Sequence, residues 1–420
     1  MSKYLTLLGD KDKNLRLLML SKMVEYGELP APAQSGAVNN HIHTTYSFSP
    51  YTPTLAVVKA YMAGLSTAGI MDHDSISGAR EFLKAGEMIG MKTTIGAECR
   101  ASMELTPLYE KRINNPDQKG IIYMALHGVP HTQIDKLEAY FKPFVEARNL
   151  RNRKMVDNIN NLFEPYGITL DFDTEVLPLS QYANGGSVTE RHLLYALSLK
   201  IISVLGKGEG CISFLKNTLD IPLSEKIESF LRDETNPCYA YDLLGVLKSD
   251  LVGKIYIDAT DECPKVRDII AFSKEIGAIS AYAYLGDVGQ SVTGDKKAQK
   301  FEDDYLDQLF EVISDLGFDA VTYMPSRNTP EQLARVMELC DRYNLFQISG
   351  EDINSPRQSF ICEKMQQPQF KHLIDSTYAL IGHEKMATKN LADGMFSAET
   401  KAKYPDIQQR IQVYKEFGLQ

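Results

Sequence analysis

A chain of 420 residues exceeds the size at which one simple hydrophobic core stops growing, so one large domain with insertions, or two domains, is expected. Apolar residues make up 44% and charged residues 24%, ordinary values for a globular protein. The formal charge of −10 excludes the basic footprint of a nucleic-acid-polymer binder, and no run of about 20 apolar residues marks a membrane span.

Residues 1–37 read as a helical N-terminal extension. Its apolar patches are broken by "GDKDKN", which does not suit a signal peptide. It ends in the Pro/Gly/Ser-bearing linker "ELPAPAQSG". A strand–helix rhythm follows over 38–131. The run "GAVNNHIH" ends in polar side chains, and Thr52-Pro53 then offers a cap and a first helical proline. "STAGIMDHD" is a second strand, and "GAREFLKAGEMIG" a helix that Gly90 stops. "KTTIGAE" and "GIIYMALHG" complete four strands, ending in Glu98 and His127.

The rhythm breaks over 132–252, a helical insertion expected to cover the mouth of the barrel. Arg148, Arg151 and Arg153 with Lys154 read there as a solvated helix face. Over 253–364 the rhythm resumes. The strands are "GKIYIDA", "AISAYAYLGD", "FDAVTYMP" and "LFQISGED". One helix lies between Pro264 and Gly277, and another opens on a capping box of Thr329 and Gln332. Residues 365–420 read as a helical tail. About eight strand–helix units result, so an α/β barrel with its chemistry at the carboxyl ends of the strands is expected.

The chemistry-bearing residues fall at those ends. His41 and His43 alternate on one strand, so both imidazoles can face one point. Steps of 30, 25 and 29 residues lead to His73, Glu98 and His127, the spacing of successive strand–helix units of a parallel sheet. Imidazole with carboxylate suits Mn, Zn or Fe. The six cysteines form no Cys-x-x-Cys pair, so they read as reduced thiols of a cytoplasmic protein. His131, His372 and His383 lack any such context and read as packing or surface residues.

The ordered motifs "HIHTTYSFS", "MDHDSISG", "GAEC" and "ALHG" resemble those of the polymerase-and-histidinol-phosphatase (PHP) superfamily of metal-dependent phosphoesterases. "TERHLLYAL" and "FDAVTYMPSRNTPEQLARVMELCDRYNLFQISGED" extend the resemblance to about residues 38–360. It implies a distorted seven-stranded (βα) barrel and one to three divalent transition ions. His41, His43, His73, Glu98, His127 and Asp352 would be their ligands, and Asp72 an orienting carboxylate in the catalytic set. His192 would be a general acid or phosphate ligand, and Arg191 would hold the phosphate of a small phosphorylated metabolite or nucleotide. Arg327, on a mouth loop, is a further candidate for that phosphate. Two positions depart from the pattern: Tyr284 and Asn354 stand where histidines are usual. Two other readings stay open. An amidohydrolase-type metallohydrolase also begins with His-x-His and ends with a late aspartate, and a partly degenerate domain would bind metal without catalysis.

Overall fold

The computed structural model describes residues 3–30, 35–289 and 299–420; part of the expected linker, 31–34, lies outside them. Helices α1 (Lys3–Leu7) and α2 (Lys13–Glu25) lead in. Strand β1 (Val38–Ile42) is followed by α3 (Pro53–Met62), whose cap is Thr52 accepting from the Leu55 N–H. Strand β2 (Thr67–His73), α4 (Ala79–Ile89), β3 (Lys92–Ser102) and β4 (Ile121–His127) come next. Gly90 ends α4 with φ +70°, a conformation that glycine adopts without a steric penalty.

A helical segment separates β4 from the rest. It comprises α5 (Ile134–Phe163), α6 (Glu190–Leu205), α7 (Glu209–Ser213), α8 (Glu225–Arg232) and α9 (Tyr239–Ile255). Then α10 (Val266–Ile276), β5 (Ile279–Ala283), α11 (Leu306–Leu316), β6 (Ala320–Tyr323), α12 (Pro330–Arg342) and β7 (Phe346–Ser349) restore the alternation. Helices α13 (Lys371–Lys389), α14 (Ala398–Lys403) and α15 (Ile407–Leu419) finish the chain. Among the described residues, no helix is long and apolar enough to cross a membrane.

The seven strands form one curled sheet in chain order, a distorted TIM-like half-barrel with helical extensions. Each strand pairs with the next one along the chain, and β4 runs antiparallel to both β3 and β5. The reason lies in the connection. No helix joins β3 to β4, and a parallel return needs a crossover, usually a helix. The expected strand at 253–259 is absent: α9 continues to Ile255. Short apolar runs do not separate a strand from a helix end by periodicity alone.

The two edges of the sheet approach each other beyond β7. The His43 N–H donates to the Ile353 carbonyl at 3.0 Å, and the Ile353 N–H donates to the His41 carbonyl at 3.1 Å. Gly350 permits this, because a Cβ there would overlap the His41 backbone.

Three sizeable cores hold the molecule. Outward residues such as Ile70, Ile95 and Val321 pack under α2, α4 and α10–α12. Inward residues Met71, Ala125, Ala281 and Phe346 pack on α13 and α15. The third core belongs to the helical segment and takes in one residue from the β1–α3 loop, Phe48.

Candidate metal centre

Strand parity sorts the site residues. Successive side chains of a strand face opposite sides of the sheet. On β2, Met71 lies in the inward core and Ile70 in the outward one. His73 therefore points inward and Asp72 outward. Glu98 pairs in register with His73, and His73 Nδ1 lies 3.3 Å from Glu98 Oε2. From β1, His41 Nε2 and His43 Nε2 meet at 3.2 Å, and His41 Nε2 is 3.5 Å from Glu98 Oε2. Edge closure at Ile353 carries Asp352 to the same place, with Oδ1 3.2 Å from His43 Nε2.

Two overlapping donor sets result: His41, His43 and Asp352, and His43, His73 and Glu98. Within each, the ligand atoms lie within 4.8 Å of one another. His43 belongs to both.

Asp72 supports this cluster from the other face. It accepts from the Thr44 N–H at 2.7 Å, from Thr44 Oγ1 at 2.6 Å and from Ser47 Oγ at 2.6 Å. Burial raises its pKa, opposed by the electrostatic pull of the His43 ring and by these donors. Ser47 has given its hydrogen to Asp72, so its oxygen accepts from His43 Nδ1–H at 3.1 Å. That fixes the tautomer and leaves a lone pair on His43 Nε2, aimed into the cluster.

The late residues are held as well. Asn354 Nδ2 donates to Asp352 Oδ1 at 2.6 Å and so steadies the aspartate. Tyr284 turns away, its hydroxyl donating to Asp303 at 2.6 Å.

The electrostatics follow from burial and mutual attraction. Burial raises Glu98, but His73, His41 and His43 outweigh it and hold the carboxyl at about 2. Burial likewise raises Asp352, and His43, His41 and Arg191 bring it well below the carboxylate range. Burial takes His73 down to about 3 against the pull of Glu98, so its ring is neutral. Burial also lowers His41, yet Glu98, Asp352 and Glu351 leave its pKa raised overall.

His127 occupies a deeper level. Because β4 is antiparallel, His127 pairs with Gly96, two residues before Glu98 on the same face. It belongs to neither donor set. Burial takes it down to about 3, helped by the charge of His41. Its Nε2 is buried without a hydrogen-bond partner, and such a group is costly unless something fills the need. Crowded imidazole nitrogens, two acids kept ionised and an unpartnered histidine nitrogen together fit divalent ions.

The remaining predicted residues come from other elements. Arg191, half-buried on α6, has no ion pair or hydrogen bond among the described residues; the carboxylate that attracts it most is Asp352. Burial lowers its pKa. Arg327 is tethered by Nε to the Leu285 carbonyl at 3.2 Å and is attracted first by Glu302 and then by Asp352. His192 is not drawn into the cluster. Its Nδ1 accepts from the Thr189 N–H at 3.0 Å in the α6 capping box, and its ring meets Phe48 edge-on at 5.0 Å.

Two groups escaped the sequence reading. Tyr123 pairs with Arg100 on the inward face of β4, its ring 5.9 Å from His73. Its position two and four residues before Ala125 and His127 on one strand was the available signal. Lys248 is exposed on α9; Arg191 chiefly brings it down to about 8, while Asp117 and Asp352 attract it. No sequence signal marked it.

No family model and no curated protein matches this sequence. The solved structures that share its fold include two hydrolases by description. One, from Bifidobacterium adolescentis, carries a provisional assignment as a metal-dependent phosphoesterase. It is 19% identical with a TM-score of 0.52, over 83% of this chain and 98% of that one. The other is an amidohydrolase from Chromobacterium violaceum with bound sulfate and no metal. It is 16% identical with a TM-score of 0.53, over 81% of this chain and 96% of that one. What this likeness shows is a shared fold.

Proposed function

We propose that this protein is a metal-dependent phosphoric ester hydrolase of the PHP type, acting on a small phosphorylated metabolite or nucleotide. The observation that carries the reading is the convergence of His41, His43, His73, Glu98 and Asp352 into two donor sets that share His43. These residues, with His127 beneath them, would hold the ions. Divalent ions bound there supply Lewis acidity toward a phosphoryl oxygen and toward water.

The chain's own groups do the rest. Ser47 and Asp72 keep the His43 lone pair directed at the centre. Asn354 keeps Asp352 in place. Arg191, which has no ion pair among the described residues, holds phosphoryl oxygens through its fork of donors, and Arg327 assists. Such cations neutralise charge on the oxygens of the transferring group, and this favours a phosphate ester over an amide. A general-acid role for His192 would use Nε2, since Nδ1 is committed to the helix cap.

The test is phosphate release by the Mn-loaded protein across phosphate monoesters and nucleotides, beside His43→Ala. Release by the wild type and its loss in the variant are expected. Hydrolysis of amides or lactones with phosphate esters inert would replace this reading by the amidohydrolase one. Metal uptake without hydrolysis of any kind would leave a binding module.

A further inference from the structure

The peptide that joins His73 to Asp74 is gripped from two sides. The His73 carbonyl accepts from Ser187 Oγ at 2.6 Å. The Asp74 N–H donates to the Glu98 carbonyl at 2.8 Å. One grip comes from strand β3 and the other from the helical segment. Asp74 itself sits at φ +50°, a left-handed conformation that a non-glycine residue adopts at some cost. Its carboxylate is paired with the buried Arg148 of α5.

Arg148 is one of six charges that meet between the helical segment and the sheet. Arg148 Nε lies 3.5 Å from Glu262, and its Nη2 3.8 Å from Glu190. Arg151 Nε donates to Glu262 at 2.6 Å, and Arg100 Nη1 to Glu190 at 3.3 Å. The arginines and acids are equal in number, and three separate parts of the chain supply the acids: the β2–α4 loop, α6 and the approach to α10. The same face is tied by neutral contacts. The Gly185 carbonyl accepts from Ser75 at 2.8 Å and from Ser77 at 3.2 Å, and the Ser187 N–H donates to the Tyr46 carbonyl at 2.8 Å. Gly185 has φ +86°, and a Cβ there would overlap Ser77.

From this geometry we infer that Arg148 and Ser187 are positioning residues for the metal centre: they act through Asp74 and the 73–74 peptide to aim the His73 imidazole at Glu98. The helical segment is then a fixed part of the centre and not a lid over it. This inference rests on the metal reading given above. A network that served only to attach the helices could anchor anywhere on the loops. Here its contacts converge on the residue next to a ligand and on that ligand's own carbonyl. Partners that orient a ligand are worth about 10- to 100-fold in metal affinity.

Cobalt(II) titration tests it, read by the visible d–d spectrum and by metal stoichiometry, with circular dichroism as the check on folding. Ser187→Ala removes one hydroxyl and no charge. The pair Arg148→Met with Asp74→Asn removes both charges and strands neither. Both are expected to stay folded, to bind cobalt about 10-fold or more weakly, and to show an altered spectrum. Arg148→Lys is expected to recover part of the loss. If both variants keep wild-type affinity and spectrum, the positioning role is overturned while the metal reading stands. If the wild type binds no cobalt, the metal reading fails, and this inference with it.

Discussion

The donor cluster and the wall beside it are built in different ways. The cluster comes from strand positions: His41, His43, His73 and Glu98 lie within 58 residues of chain, on three adjacent strands. Strand parity and register alone bring His73 opposite Glu98. The wall comes from the helical segment. Arg191, Lys248 and Arg148 lie on α6, α9 and α5 and reach the site only because those helices pack as they do. The lesson is that the candidate donors are set locally by the sheet, whereas the proposed substrate contacts and the proposed alignment of His73 depend on tertiary packing. Damage to the sheet residues should therefore remove metal. Damage to the wall should alter substrate handling or stability and leave most ligands in place.

The sharpest break in that contrast is His43→Ala, which takes a nitrogen from both donor sets. Loss of several kcal/mol of electrostatic stabilisation corresponds to a fall on the order of 10³-fold in kcat/KM, with metal content falling too. Steady-state kinetics beside elemental analysis would show both, and full metal occupancy in the variant would contradict the assignment.

On the other side stands Phe48, which leaves the β1–α3 loop to enter the helical core, against His192 and Tyr195. Phe48→Ala should cost about 3–5 kcal/mol, seen as a lower denaturant midpoint. A change within a few tenths would mean that the loop and the helices are not joined there.

Arg191→Met sharpens the comparison further. Fold and metal content should be retained, while kcat/KM for a phosphate ester drops by about 10²-fold, the scale of one lost charge-stabilising donor. An unchanged kcat/KM would exclude the guanidinium from substrate binding.

The smallest effect lies outside the donor cluster and the helical wall, just after β4. His131 Nε2 pairs with Glu384 at 2.7 Å. Burial lowers the His131 pKa, but the hydrogen bond and charge of Glu384 leave it above its ordinary 6.5. A raised folded pKa means stability that is fully present below the unfolded value and fades as pH climbs through the folded one. Wild-type stability should thus decline as pH rises from about 6.5, and His131→Gln should flatten that slope in denaturation at stepped pH.

Much of the sheet was legible in the order of residues alone. Thr52, Gly90, Gly277 and the Thr329–Gln332 box mark helix ends because capping chemistry is local. The reversal of β4 was not legible, since strand direction depends on the connection and leaves no periodic trace. The same holds for Arg148 and Arg151. They read as a solvated face, yet they are buried, and of that group Arg153, its side chain 42% exposed, and Lys154 meet solvent. Charged side chains enter an interior when opposite charges meet them there. Those partners, Asp74, Glu190 and Glu262, are scattered along the chain.

By itself the sequence determined the strand-borne donors and the parity that puts His73 and Asp72 on opposite faces, because a pleated strand repeats every two residues wherever it lies. Only the tertiary structure decided that Asp352 closes on His43, that His127 sits one level deeper, that α5 brings Arg148 to Asp74 and that α6 brings Arg191 within the field of Asp352. Those outcomes depend on which distant segments pack together, and the burial that selects them is a property of the whole chain.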